Sequence, residues 1–286
     1  MDRGTEIADF LRTRRARLTP DRAGLSDDGR VRRVPGLRRD EVARLAHMST
    51  EYYTRLEQGR AGNPSPEVLD AVASALRLDD AERQHLLDLF ERRRPRKAPP
   101  VAQRVRPSLL LTLQSLDGVP AFIFGRRTDV LAANRLAREV LTDFEAKPAA
   151  ERNLARYVLL DPQAPERMHE WERAASDTVA MLRFDAGRHP EDRRLSDLIG
   201  ELTMRCPDFG RWWDEHHVMV RTHGVKRYRH PLVGDLEFHY EAFPVPGDPE
   251  QTMCVYNVEP GSATTEALRL LESWTSPRAA EREPRR

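Results

Sequence analysis

Up to residue 90 the apolar positions recur at helical spacing. Ile7, Phe10, Leu11 and Leu18 form one set, and Val42, Leu45 and Ala46 a second. Tyr53 with Leu56, then Val68, Leu69, Val72 and Leu76, then Leu86, Leu87 and Phe90 complete the series. The pattern predicts five short helices. Their ends carry chemical punctuation: Ser49 before TEYYTRLE, Gly59 after it, Ser65 and Pro66 before EVLDAVASAL, and Asp79 or Asp80 before AERQHLLDLF. A short polar side chain satisfies free N–H groups at a helix start, proline suits the first turn, and glycine accepts the left-handed turn at the end.

After residue 107 the regime changes. AFIF (residues 121–124) and DVLAAN read as a hairpin around Arg126 to Thr128, followed by a helix through Leu136 and Leu141. Helices are predicted within 166–184, 192–205 and 209–216. In LEFHYEAF the period falls to two, with Leu236, Phe238, Tyr240 and Ala242 on one side and Glu237, His239 and Glu241 on the other. With VMVRTHGVKRYRH before it and QTMCVYNV after it, a three-stranded antiparallel run is predicted, with one sheet face covered and one wet. Between the regimes, ERRRPRKAPPVAQRVRP (91–107) combines prolines with closely spaced like charges and reads as a linker. The tail 276–286 has no apolar period and is expected to be disordered. The fold class is thus an all-α domain of five short helices (1–90) followed by an α+β domain with an antiparallel sheet (108–275).

The 286 residues hold 47 Lys/Arg and 46 Asp/Glu, a formal net charge of +1, which excludes a uniformly polycationic protein. The charge is nevertheless uneven: residues 1–106 carry a net +6 and the remainder −5. Ten arginines (12, 14, 15, 17, 22, 30, 32, 33, 38 and 39) face only Asp21, Asp27 and Asp28 between residues 12 and 39, and phosphate contact is expected there. Cys206 and Cys254 match no C-x-x-C spacing, so neither a disulfide framework nor a thiolate zinc site is suggested. No signal-like or membrane-spanning apolar run occurs, and a cytoplasmic protein is expected.

Two sets of residues carry candidate chemistry. In GLRRDEVARLAHMSTEYYTRLEQGR (36–60), a helix through Val42, Ala43 and Leu45 turns at His47 and Met48 into a second helix capped by Ser49. Tyr53 and Leu56 take the buried side, leaving Thr50, Glu51 and Arg55 on the polar side near the N-terminus. That is the geometry of a helix entering a major groove, and equally of a helical hairpin with a solvated face. In the second domain, Phe122, Phe124, Phe238, Tyr240 and Tyr256 share the apolar side of the sheet, with Trp212 and Trp213 on a nearby helix; such a stripe either fills a core or lines a pocket. His-Glu-x-x-His, Gly-x-Ser-x-Gly and the glycine-rich nucleotide fingerprints are absent from the sequence, so no catalytic or metal residue is assigned, no cofactor is expected, and the protein is not read as an enzyme.

The 36–60 stretch resembles the lambda-repressor-like, Xre-type helix-turn-helix family through Ala43, Ser49, Tyr53 with Leu56, and Glu57 to Gly59. His47 replaces the usual turn glycine and must take the turn conformation. The resemblance implies phosphate contacts from Arg38, Arg39 and Ser49, base reading by Thr50, Glu51 and Arg55, and a backbone contact from Tyr52, while Glu57 ties the helix end down. Together with PAFIFGRRTDVLAANRLA and HGVKRYRHPLVGDLEFHYEAFPVPGDPEQ with VYNVEPGS, it makes the chain from about Glu6 to Trp274 similar to the MmyB-like transcription regulators. That resemblance implies a PAS-like second domain taking a small lipid-like or fatty-acid-like effector. Phe122, Phe124, Trp213, Phe238, Tyr240 and Tyr256 are then the candidate lining, with His216, His230 or Tyr240 meeting the polar end. Operator DNA bound as a homodimer and a nucleoid-associated, cytoplasmic regulator follow. The alternative is a ligand-independent DNA binder whose second domain only dimerises.

Overall fold

The computed structural model describes residues 3–25, 36–91 and 103–275, and the chain divides into two compact units. The first contains α1 (Arg3–Arg17), α2 (Pro20–Ala23), α3 (Arg39–Leu45), α4 (Thr50–Glu57), α5 (Pro66–Ala75) and α6 (Asp80–Phe90). Where the apolar period predicts five helices, six segments form among the described residues. The extra one is the single turn α2, which Pro20 starts and Gly24, left-handed at φ 75, stops. The predicted caps hold at Ser49 and Asp79, whose side chains accept from the N–H groups of Tyr52 and Glu82. Ser65 stands at its N-cap position without a side-chain capping bond, its hydroxyl engaged instead by the Glu67 carboxylate. His47 adopts φ 53, the left-handed turn conformation that its place in the motif demands. Gly59, at φ 67, ends α4 against α1, where a Cβ would lie 2.7 Å from Gly4 Cα. No side chain fits that approach.

The first unit is not one run of chain. Besides residues 1–97 it takes in Arg183–Asp192 and Gly210–Val220, so the expected boundary at residue 90 omits part of it. The reason is physical. Arg183, fully buried, pairs with Glu6 at 2.7 Å and lies over the Trp213 ring at 4.2 Å, while Val218 joins the helical core formed by Phe10, Leu11, Val42, Tyr53 and Leu86. Of the predicted linker, residues 92–102 lie outside the described residues, as do Arg30, Arg32, Arg33 and the tail 276–286.

In the second unit the predicted hairpin forms as β1 (Ala121–Phe124) and β2 (Val130–Ala133), joined by a 3-10 turn at Arg126–Thr128 and followed by α8 (Arg135–Val140). The predicted meander forms as β3 (His223–His230), β4 (Gly234–Val245) and β5 (Asp248–Asn257). All five strands make one antiparallel sheet, ordered β2-β1-β5-β4-β3. The predicted helices appear as α11 (Trp171–Arg188), α12 (Arg193–Arg205) and α13 (Phe209–Asp214). The helices α7 (Pro107–Gln114), α9 (Leu154–Leu160), α10 (Ala164–Arg167) and α14 (Ala263–Thr275) add to them.

Register puts Phe122 opposite Cys254, Tyr256 opposite Tyr240, Tyr240 opposite Gly224, and Phe238 opposite Lys226. Directly paired residues share a face, so these side chains all lie on one side of the sheet. On the other side, Glu237, His239 and Glu241 are exposed as predicted, but Ile123 and Val255 are buried against Leu109 and Leu113 of α7. The second face is therefore wet only along β3 and β4, because AFIF is apolar at every position and attracts a helix to its outer side.

Three histidines of the first unit are held neutral. Burial pushes His85 down to about 3, helped by the nearby cations Arg183 and Arg14, and burial pushes His216 and His217 down to about 4. His85 packs edge-on against Phe10 at 5.0 Å, and its two ring nitrogens have no hydrogen-bond partner. A folded pKa below the unfolded value of about 6.5 means that this stability is complete above that pH and is lost as pH falls toward the folded pKa. For His85 alone the loss between pH 6.5 and 4.5 is expected to be about 2 to 3 kcal/mol. Urea unfolding at the two pH values tests this: His85→Leu, which gives up no hydrogen bond, should flatten the dependence, and an unchanged slope would refute the assignment.

Candidate functional site

In the first unit the site is built around α4. Ser49, in extended conformation, precedes it, and its Oγ accepts from the Tyr52 N–H at 3.1 Å. The helix buries Tyr53, Leu56 and Glu57 and exposes Thr50, Glu51 and Arg55. Among the described residues, the side chains of Thr50, Glu51 and Arg55 make neither an ion pair nor a hydrogen bond with another side chain. The predicted readers thus sit together, unspent, on one face. Tyr52 is half-buried at the rim of the helical core.

Glu57 holds that face in position. It is 2% exposed, and its carboxylate accepts from Arg15 Nε at 2.6 Å and from Arg39 Nε at 2.7 Å, so α4 is tied to α1 and α3. Burial alone would raise the Glu57 pKa, but the two guanidinium hydrogen bonds outweigh it and the net shift is downward. The structural role expected for Glu57 is what the geometry displays. Arg39, by contrast, is not a free phosphate contact: its guanidinium is committed to Glu57, although the side chain is 45% exposed. Arg38 starts α3, and its backbone N–H donates to Glu41 at 2.6 Å.

Four more arginines of the run between residues 12 and 39 find carboxylates within the unit. Arg12 pairs with Asp9, and Arg14 is buried against Glu82 at 2.8 Å. Arg15 takes Glu57, and Arg17 lies 3.9 Å from Glu82. Counting charges in the sequence could not separate these from arginines that face outward.

In the second unit, five of the eight candidate lining residues come together. Phe122 packs edge-on against Tyr256 at 5.7 Å and lies 6.1 Å from Phe124, and Tyr256 contacts Phe238 at 5.4 Å and Tyr240 at 6.2 Å. Phe122, Phe238 and Tyr256 are fully buried against one another and fill the core. Trp213 and His216 belong to the first unit, where Trp213 stacks under Arg183 and the His216 carbonyl accepts from Arg14. In the second unit, His230 Nε2 faces the Glu139 carbonyl at 3.2 Å while Nδ1 accepts from the Leu232 N–H. Both ring nitrogens of His230 are occupied at the end of β3.

Beside the aromatic cluster lie polar residues that sequence reasoning missed. The Tyr228 and Tyr256 hydroxyls pair at 3.1 Å. Arg221 is 8% exposed, its guanidinium lies 5.1 Å from the Tyr240 ring centroid, and its Nε has no hydrogen-bond partner. Burial alone would lower its pKa, but the acidic phenols and thiol around it, Tyr256 and Cys254 foremost, turn the net shift upward. Lys226 is pushed down to about 8 by burial and by Arg221, and it faces Asp177 at 3.8 Å. Burial raises the Cys254 thiol to about 11 and keeps the Tyr228 phenol well above its ordinary value. The Tyr157 hydroxyl is buried without a partner. Tyr228 was legible in the alternation of KRYRH, whereas one arginine among so many carried no signal.

Among the described residues no group of histidine, cysteine or carboxylate side chains is arranged to hold a metal ion, and no helix is long and apolar enough to cross a membrane. A family model described as a helix-turn-helix domain matches residues 6–86, and one described as the MmyB-like transcription regulator ligand binding domain matches residues 105–271. A comparison with curated proteins finds none that matches. The two matched domains are those of transcription regulators, and their order agrees with the helical first unit and the sheet of the second. With the second model spanning more than half of its length, the chain belongs to the family of the MmyB-like transcription regulator ligand binding domain, preceded by a helix-turn-helix DNA-binding domain.

Proposed function

We propose that this ligand-responsive regulator is a one-component switch. In it α4 reads operator DNA, and the second unit takes a small apolar, fatty-acid-like effector in the cytoplasm, at the nucleoid. The observation that carries the reading is the face of α4: Thr50, Glu51 and Arg55 are exposed and unspent while Glu57, on the same helix, is buried and clamped. Each side chain has a base-edge partner of suitable chemistry. Arginine donates twice to guanine, glutamate accepts from the cytosine amine, and the threonine methyl meets thymine. Ser49, Arg38 and Tyr52 at the helix entry supply backbone contacts. Arg39 acts first as a clamp and meets phosphate only with the solvent edge of its guanidinium.

A single small helix-turn-helix covers few base pairs, so the reading includes a homodimer on half-sites about one helical turn apart. The effector then needs only to bind one DNA-binding arrangement more tightly than another; a coupling of roughly 1 to 3 kcal/mol changes operator affinity by about 5- to 150-fold. The second unit's aromatics favour this over a module that only dimerises, because their packed core ends at polar groups left without protein partners, Arg221 Nε and the Tyr157 hydroxyl. No catalytic step is assigned to the chain.

Three outcomes are expected. In fluorescence anisotropy, Arg55→Ala should cost about 1 to 3 kcal/mol on the matched operator and relax preference at one base pair. Arg39→Ala should weaken all sequences alike and also lower the melting temperature, since it undoes half of the Glu57 clamp; equal effects of both variants on matched and mismatched DNA would contradict the assignment. Sedimentation of the saturated complex should give two chains per operator, and a one-to-one complex would refute the dimer. In thermal-shift titration, a fatty acid at 100 times its dissociation constant should add about 2.7 kcal/mol of stability, and no shift at any chain length would leave the dimerisation-only reading in place.

A further inference from the structure

Two stretches within residues 105–271, the part of the chain matched as a ligand binding domain, are packed into the helical unit: Arg183–Asp192 and Gly210–Val220. The first begins as the end of α11, whose earlier turns belong to the second unit. Buried charges make their attachment. Arg183, 1% exposed, donates to Glu6 at 2.7 Å and to the Trp213 carbonyl, and Arg14, 3% exposed, donates to the His216 carbonyl. Phe184 and Val218 add apolar contact. Beside these groups neither ring nitrogen of His85 on α6 has a hydrogen-bond partner, and Arg183 Nε and His216 Nδ1 have none either. Gly187 comes so close to the His85 ring that a Cβ there would lie 2.5 Å from Cε1. Buried ion pairs fix a docking geometry but add little net stability, because desolvation offsets the Coulomb gain. Such an attachment suits an element that docks and releases.

The segments dock on α1, and α1 is also what holds α4. The two sets of contacts fall at the same places along it. Near its start, Gly4 meets Gly59 at the end of α4, and Glu6, two residues on, takes Arg183. Near its end, Arg15 takes Glu57 of α4 at 2.6 Å, and Arg14, the residue before it, takes the His216 carbonyl and Glu82. Successive residues of a helix point about 100° apart, so Arg14 and Arg15 serve two faces of one turn. A helix of 15 residues gripped at both ends moves as a body. Displacement on one face therefore reaches the other.

We propose that α1 is the coupling helix of this regulator: docking of Arg183–Asp192 and Gly210–Val220 against it holds α4 rigid, and their release loosens α4. The proposal deepens the reading of the chain as a one-component switch and rests on it for the consequence at the operator. It supplies the two arrangements between which an effector must discriminate. Arg183 and Glu6 are positioning residues, acting on α4 through α1.

Hydrogen exchange of the full chain reads α4 directly. Glu6→Gln combined with Arg183→Met removes the ion pair without leaving a lone buried charge, a replacement that folded proteins commonly tolerate. In that double variant the amides of α4 should exchange about tenfold faster while those of α5 stay within about twofold, the contrast that separates local opening from global loosening. Gly187→Ala, which pushes the segment off the His85 ring and leaves both ions in place, should give the same pattern. A duplex enriched from random DNA by the wild type should bind the double variant about tenfold more weakly. Unchanged exchange in α4, or an equal rise in α4 and α5, overturns the proposal, and so does faster exchange in α4 with unchanged DNA affinity. If the wild type enriches no duplex, the operator reading fails and the exchange contrast still decides the coupling. Should circular dichroism show that the double variant does not fold, Gly187→Ala is judged by the same criteria.

Discussion

The buried carboxylate of Glu57 governs the first unit. It closes α4, and the guanidinium groups of Arg15 on α1 and Arg39 on α3 converge on it. A charge at 2% exposure is tolerable only because both partners are present; removing one partner from a buried pair typically costs about 3 to 5 kcal/mol. The clamp joins residues 18 and 42 positions apart in sequence, so it sets the angle at which α4 leaves the core. Gly59 reinforces it by letting the end of α4 approach Gly4 more closely than any side chain permits. The face bearing Thr50, Glu51 and Arg55 is presented rigidly because its opposite side is anchored by charge and by the packing of Tyr53 and Leu56.

The same rule, that a buried polar group needs a partner, organises the second unit. Asn134 links the start of β1 to the start of α8, and Asn153 fastens the 3-10 turn after β1 to the start of α9, each with its amide fully used. Where β5 has ended, the Thr264 hydroxyl accepts from the Glu237 N–H and closes β4. Against that background the unpartnered Nε of Arg221 and hydroxyl of Tyr157 stand out, and both border the aromatic cluster. The cluster has the character of a packed core, with ring centroids 5.4 to 6.2 Å apart.

Charge behaves differently in the two settings. The arginines of α1 were legible as an excess and read as a surface for phosphate, yet Arg14 and Arg15 are interior residues whose partners, Glu82 and Glu57, come from α6 and α4. Long-range pairing turned an apparent surface charge into internal structure. Arg55, exposed on α4, lies outside that run.

The sequence by itself determined what depends on neighbours along the chain. Helical spacing and caps gave α3 to α6, the switch to period two gave β3 to β5, and the 36–60 motif gave both the exposed polar face of α4 and the left-handed turn at His47. These are local properties, decided by side-chain periodicity and backbone preference. Tertiary structure alone decided which charges are interior, that Arg183–Asp192 and Gly210–Val220, with Trp213 and His216, pack with the helical unit, that His230 meets the Glu139 carbonyl, and that Arg221 lies buried beside Tyr240 and Cys254. Each of these turns on partners far away in sequence, and an arginine carries the same letter whether it ends in solvent, in an ion pair or buried beside aromatic rings.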